Sequence, residues 1–296
     1  MLKKIKVKVT CFWEDATQMH ATIRRYTMNG THRWKNIDFV MDDSYDRLII
    51  LTRPHKDQRY NPDNAITLLT EPPQSANIIK HPTAVSLPVY VHLPFWEHLT
   101  KVQYQDVLNG KLIKKTKILS SVTSELYNNV LPGYELRLQY IDLMDACIED
   151  GFDLYGKKYS GTFFDQIKAY KGSLLNKYDG LWSYKYHFAC ENSFYPDYFT
   201  EKIADPIISE CLCFYDGCNN IEEFIDERAF VKIEVANPGD SVEKMIRMIN
   251  DNEWRKRIKY IRLQKQRLLF ELNPLNLIWA VANEMDALNM FRLNRY

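Results

Sequence analysis

No stretch of the 296 residues approaches the roughly 18 consecutive apolar side chains of a membrane-spanning helix, and the amino terminus has no signal-peptide apolar core. Glycine is scarce, at ten, and neither G-x-G-x-x-G nor G-x-x-x-x-G-K-[ST] occurs. Dinucleotide and P-loop readings are therefore poorly supported. The formal net charge is only +1, so nothing global draws the chain to nucleic acid or an anionic membrane. The six cysteines, Cys11, Cys147, Cys190, Cys211, Cys213 and Cys218, form no C-x-x-C pair, and no histidine stands near the last three to complete a zinc site. With no export signal they read as small apolar thiols in a reduced, cytoplasmic setting. Asn29-Gly30-Thr31 is then a turn and not a glycosylation site.

What is there is a chain with 46% hydrophobic residues, enough for substantial cores, in which short apolar runs alternate with amphipathic stretches. Strands are expected at 2–11, 47–52, 65–71, 117–121, 152–155, 184–190, 211–215 and 229–235. Helices are expected at 135–150, 198–210 and 241–250, and this alternation is α/β in character. Lysines alternate with apolar residues from Leu2 to Val9, which predicts a first strand with one wet face. The polar stretch Asn109–Thr116 is the candidate boundary, giving domains 1–115 and 116–272. A last segment, 273–296, has a helical period through Leu277, Ile278, Val281, Ala282 and Met285, and is expected to pack back on the first domain. The basic run Arg255–Arg262 puts Trp254, Ile258 and Ile261 on one helical face and reads as a solvated amphipathic helix.

The richest segment is Tyr184–Lys202, YKYHFACENSFYPDYFTEK. An apolar strand runs into the polar Glu191-Asn192-Ser193, and Pro196-Asp197 can then start a helix with Asp197 as N-cap. In open α/β sheets ligands sit at the carboxyl ends of strands, where helix N-termini present free N–H groups and partial positive charge. Lys202 supplies a compact cation for a diphosphate, and Glu201 an acceptor for ribose hydroxyls. An ordinary capped surface helix uses the same residue types.

The spacing of Glu191-Asn192-Ser193 and Asp197-Tyr198-Phe199-Thr200-Glu201-Lys202 closely resembles the signature of the α1,3-fucosyltransferases of glycosyltransferase family ten. The resemblance continues through Cys213-Phe214-Tyr215-Asp216-Gly217 and fades after Phe230. It implies a GT-B architecture, two Rossmann-like domains facing across a cleft with a C-terminal helix returning to the first, and it points to the soluble microbial or viral members.

It also implies an inverting glycosyltransferase that moves a sugar, L-fucose from GDP-fucose by family default, onto a hydroxyl of a glycan or glycoprotein acceptor. By resemblance Glu191, Asn192, Tyr198, Glu201 and Lys202 bind the donor. Arg137, in Arg137-Leu138-Gln139-Tyr140, matches the family arginine that grips the diphosphate. Glu71, in Thr70-Glu71-Pro72-Pro73 at the end of an apolar run, matches the base. No D-x-D motif is present, so no metal is demanded, although Mn or Mg can stimulate. Departures at Pro206 and Ser209–Cys213 leave the donor sugar open, with UDP-xylose as an alternative, and a catalytically silent nucleotide-sugar or glycan-binding module on the same fold as another.

Overall fold

A computed structural model describes residues 2–27, 30–72, 74–78, 84–86, 113–127, 131–159 and 161–293. Asn29, Pro73 and the first part of the expected boundary, 109–112, lie outside the described residues. The described residues form two compact units, one from those of Met1–Glu97 and Glu271–Asn294, the other from those of His98–Phe270.

The first unit begins β1 (Ile5–Cys11), α1 (Ala16–Tyr26), β2 (Arg33–Trp34), β3 (Ile37–Phe39), β4 (Arg47–Leu51), β5 (Ala65–Leu69) and β6 (Ala84–Ser86). Its sheet runs β2-β3-β1-β4-β5-β6, parallel apart from the β2–β3 pair. Asp15 starts α1 with a capping box, its side chain accepting from the Gln18 N–H while Gln18 reaches back.

β1 departs from the expectation of a wet face. From Val7 to Cys11 every residue is buried, including Lys8, because β1 is central and a parallel sheet is covered on both faces. The Lys8 ammonium pairs with Asp43, 2.8 Å away.

The second unit contains β7 (Lys117–Val122), α2 (Gly133–Cys147), β8 (Phe152–Tyr155), α3 (Phe163–Gln166), β9 (Tyr184–Cys190), α4 (Glu201–Ile208), β10 (Leu212–Asp216), β11 (Phe230–Lys232), α5 (Pro238–Asn250) and α6 (Glu253–Phe270). Its sheet is wholly parallel, in the order β11-β10-β9-β7-β8. The core is aromatic: Tyr140 of α2 stacks on Phe188 at 4.8 Å and Tyr186 on Phe214 at 5.6 Å, all four buried. Arg262, in the basic run of α6, is not merely solvated. It joins the buried Lys265 in holding the buried Glu210 carboxylate, at 3.1 and 3.0 Å.

The chain then returns to the first unit as α7 (Pro274–Ala282) and α8 (Ala287–Phe291). Trp34 donates to Asn276 and Trp279 donates to Asn36, at 3.0 and 2.7 Å, which fixes α7 on that unit as expected of the last segment. The expected single helix is broken. Asn283 caps α7 and Glu284 takes a left-handed φ of 58°, so Met285 faces solvent instead of the core.

Within each unit the parallel strands share one order. Setting aside the antiparallel β2, the first sheet reads β3-β1-β4-β5-β6 and the second β8-β7-β9-β10-β11, both 2-1-3-4-5 in strand sequence. The winding direction of such a sheet reverses between its strands 1 and 3. Those places are β1/β4 in the first unit and β7/β9 in the second.

Candidate donor site

Glu191 follows the last residue of β9 and is fully buried. Its carboxylate accepts the Thr200 N–H at 2.8 Å, has the Thr200 hydroxyl 2.9 Å from both oxygens, and takes the Tyr215 hydroxyl at 3.3 Å. The Lys202 ammonium completes the set at 3.2 Å. A buried carboxylate is stable only when paired and hydrogen-bonded in this manner. Two glycines make room for it: a Cβ on Gly217 would stand 2.4 Å from the Glu191 Cγ, and one on Gly133 would stand 2.0 Å from the Glu191 carbonyl oxygen. Glu191 therefore holds the helix start from beneath, with no surface of its own to offer a ligand.

That carboxylate moves the start of α4. The N-cap is Thr200, whose hydroxyl accepts from the Lys202 N–H, and not Asp197 as the sequence suggests. Asp197 sits at a φ of 61° and is clamped to Asn220 by two hydrogen bonds, of 2.8 and 2.9 Å. Between them Phe199 is buried against Phe224. Pro206, whose missing N–H weakens a helix interior, lies near the end of α4, which stops at Ile208.

Around the helix start stands an alternating ionic chain. Lys202 lies 3.7 Å from Glu201, Lys177 lies 3.8 Å from Glu201, and Lys177 lies 2.6 Å from the fully buried Asp205, which also accepts the Tyr178 hydroxyl. Burial alone would raise the Glu201 carboxyl, but Lys202 and Lys177 outweigh it and hold its pKa down to about 2. Burial pulls Lys202 down, and Glu191 and Glu201 more than reverse that, so its ammonium is held above the ordinary lysine range. Asp205 shifts upward because its burial exceeds the help from Lys177.

Arg137 behaves differently. It is 4% exposed, in the second turn of α2, and its guanidinium donates to Asn192 Oδ1 at 3.1 Å and to the Ser124 carbonyl at 3.1 Å. Tyr134 packs on its face at 4.5 Å, and its hydroxyl accepts a hydrogen bond from the Asn192 side-chain amide at 3.0 Å. Among the described residues it forms no ion pair, and its buried Nε has no partner. Burial lowers its pKa from the ordinary value, yet a guanidinium remains charged. A buried, hydrogen-bonded guanidinium of this kind has the chemistry to pair with an anion.

Arg137, Lys177 and Lys202 converge on a cavity of about 20 Å³ bounded by Ser121–Thr123 at the end of β7 and Phe188–Cys190 on β9, room for about one water. This is the β7/β9 switch point, where an α/β sheet receives ligands. His187 adds no cation there. Burial holds its pKa well below the usual range, and its Nδ1 lies 2.9 Å from a Ser120 hydroxyl that donates to Gly180.

The family model for the C-terminal part of glycosyltransferase family 10 (fucosyltransferase) matches residues 112–273, more than half of the chain. The chain belongs to glycosyltransferase family ten. A protein of Acanthamoeba polyphaga mimivirus, whose own designation as a fucosyltransferase is provisional, is 26% identical over 208 residues, 66% of this chain and 32% of its own length. The chain thus spans about a third of that curated relative. Among solved structures, an α1,3-fucosyltransferase with GDP aligns over 97% of this chain and 92% of its own at a TM-score of 0.52 and 14% identity. A glycosyltransferase from Rickettsia africae aligns over 96% and 99% at 0.53 and 9%. At such identities the likeness shows the fold, which is the GT-B type of the glycosyltransferases.

Of the residues that the family signature singles out, Arg137, Glu191, Asn192, Glu201 and Lys202 are joined in the second unit by the contacts above, and Tyr198 lies half-buried just before Thr200. Glu71 belongs to the first unit, half-buried two residues beyond β5. Sequence reasoning missed Lys177, Ser124 and Asp205. Lys177 and Ser124 stand far from the signature in sequence, and Asp205 falls opposite the Ile203, Ile207 and Ile208 stripe, on the side of the helix expected to be solvated, yet is fully buried. Among the described residues no helix is long and apolar enough to cross a membrane.

Proposed function

We propose that this chain is an inverting glycosyltransferase that transfers a sugar, by family default L-fucose from GDP-fucose, to a hydroxyl of a glycan acceptor. The observation that carries the reading is Arg137: a buried guanidinium with no anionic partner among the described residues, facing a switch-point cavity shared with Lys177 and Lys202. Three cations converging where a strand order reverses are suited to a nucleoside diphosphate.

In this mechanism the acceptor oxygen attacks the anomeric carbon from the face opposite the diphosphate. The new glycosidic bond forms as the bond from the anomeric carbon to the diphosphate oxygen breaks, through a transition state of oxocarbenium character. Glu71 takes the proton of the acceptor hydroxyl. Arg137 and Lys202, with Lys177 behind them, stabilise the charge that gathers on the departing diphosphate, an effect strongest when water is excluded. Glu201, kept ionised at any working pH, accepts ribose hydroxyls. Glu191 acts through Thr200 and Lys202, which it holds in place.

A thermal-shift panel of GDP, UDP and CMP with their sugars tests the donor reading, since a ligand of the folded state raises the melting temperature by mass action. GDP and GDP-fucose are expected to stabilise the protein selectively. Selective stabilisation by UDP would replace the donor, and no response to any nucleotide would reject the transfer reading.

A further inference from the structure

The first unit has its own switch point, between β1 and β4, and its strand ends carry different chemistry. Beyond β1 come Phe12 and Trp13, whose rings meet edge to face at 5.0 Å, with Trp13 46% exposed. Beyond β4 come Thr52 and Arg53. Thr52 is fully buried at a φ of 61°, a left-handed conformation that β-branched residues avoid. Three hydrogen bonds over-determine it. Its N–H donates to the Leu68 carbonyl at 2.7 Å, its hydroxyl meets that of Thr70 at 2.5 Å, and the same hydroxyl accepts the Thr70 N–H at 3.0 Å. The backbone entering Arg53 and the backbone entering Glu71 therefore leave β4 and β5 from one locked pair of threonines.

The Arg53 guanidinium lies 4.8 Å over the Phe12 ring. Among the described residues it has no ion pair, and neither have the exposed Lys56 and Arg59 that follow it. The carboxylate of that loop, Asp57, is instead 3.5 Å from His55. An exposed indole beside a half-buried phenyl offers a flat apolar surface, to which the C–H face of a pyranose is complementary. A guanidinium laid on a ring keeps its planar fork free for an oxyanion, and nearby unpaired cations favour an acidic ligand over a neutral one.

Resting on the glycosyl-transfer reading above, we propose that the strand-end cluster of Phe12, Trp13 and Arg53 is an acceptor subsite for an acidic pyranoside, with the sugar ring on Trp13 and its carboxylate on Arg53. The acceptor class this names is a uronide-type glycan, held at the carboxyl ends of the same sheet that carries Glu71.

Titrating the full chain with methyl glucuronide and with methyl glucoside, followed at the Trp13 indole N–H resonance identified by its loss in Trp13→Phe, tests this. The glucuronide is expected to shift that resonance and to bind about tenfold more tightly than the glucoside, equivalent to 1.4 kcal/mol. Arg53→Gln is expected to abolish the preference and Arg53→Lys to keep only part of it, since the fork is lost while the charge stays. In Trp13→Ala, saturation transfer from protein to either glycoside is expected to vanish. Equal affinities, an unmoved indole resonance, or a preference that survives Arg53→Gln would overturn the assignment. GDP stabilisation of the same wild-type protein separates the two readings. Binding of GDP but of neither glycoside overturns the acceptor subsite alone, whereas uronide binding without any nucleotide response overturns the transfer reading, and with it the acceptor role, while leaving a uronide-binding site.

Discussion

In the second unit the ends of β7 and β9 enclose a wired ionic network, with Glu191 and Asp205 fully buried and every oxygen committed to Thr200, Tyr215, Lys202, Lys177 or Tyr178. In the first unit the ends of β1, β4 and β5 carry an exposed indole, a guanidinium on a phenyl ring, a strained threonine and a half-buried glutamate. The strand order is the same in both. On the proposed function, what differs is the demand on each sheet. Binding a diphosphate needs fixed charge in fixed positions, which buried ion pairs supply at the expense of desolvation. Receiving a sugar hydroxyl needs a surface that a neutral or acidic ring can reach and leave.

Glu71→Gln is expected to lower transfer about 10²–10⁴-fold in steady-state kinetics while leaving GDP stabilisation in thermal shift unchanged. Comparable turnover would remove Glu71 as the base. Glu191→Gln is the counterpart in the second unit and should do the reverse, acting first on the fold. Leaving Lys202 without its buried partner is expected to destabilise the protein by about 3 kcal/mol in urea unfolding, and to weaken GDP binding with it.

Arg137 is a cation the fold leaves without an ion pair among the described residues. Arg137→Gln is expected to weaken GDP binding by about 2 kcal/mol in calorimetry with little loss of stability. Arg137→Lys should recover only part, lacking the fork. Lys177→Met tests the network beyond the signature. Without Lys177 the buried Asp205 protonates, and GDP affinity is expected to fall by less than in Arg137→Gln, about 1 kcal/mol.

The smallest effect is in pH. Glu201 has a folded pKa of about 2, below its ordinary value of 4.5, so its contribution is fully present above pH 4.5 and lost as pH falls toward 2. Asp205, shifted upward, works in the opposite sense and softens the slope. Melting temperature followed over this window should decline less in Glu201→Gln than in wild type. Equal declines would assign the acid sensitivity elsewhere.

The α/β alternation was legible in the residue order alone, because parallel strands buried on both faces must be written as apolar runs such as Leu48–Leu51 and Leu212–Tyr215. So was the family, because Glu191-Asn192-Ser193 and Tyr198–Lys202 keep a spacing set by a strand end and a helix start. Local rules failed where a distant group intervened. Asp197 was the better cap by type, but the Glu191 carboxylate claims the Thr200 N–H and starts α4 later. The wet face expected of β1 vanished because its neighbours in the sheet, β3 and β4, made it a central strand. Lys177 and Ser124 carry no motif, and only packing brings them to Glu201 and Arg137, whereas Asp205 stands one helical turn from Glu201 on α4 and meets Lys177 only in the folded chain. Spacing encodes what lies within one turn or one strand end. The charge balance of a buried site depends on residues far apart in the chain, and only the tertiary structure decides which of them meet.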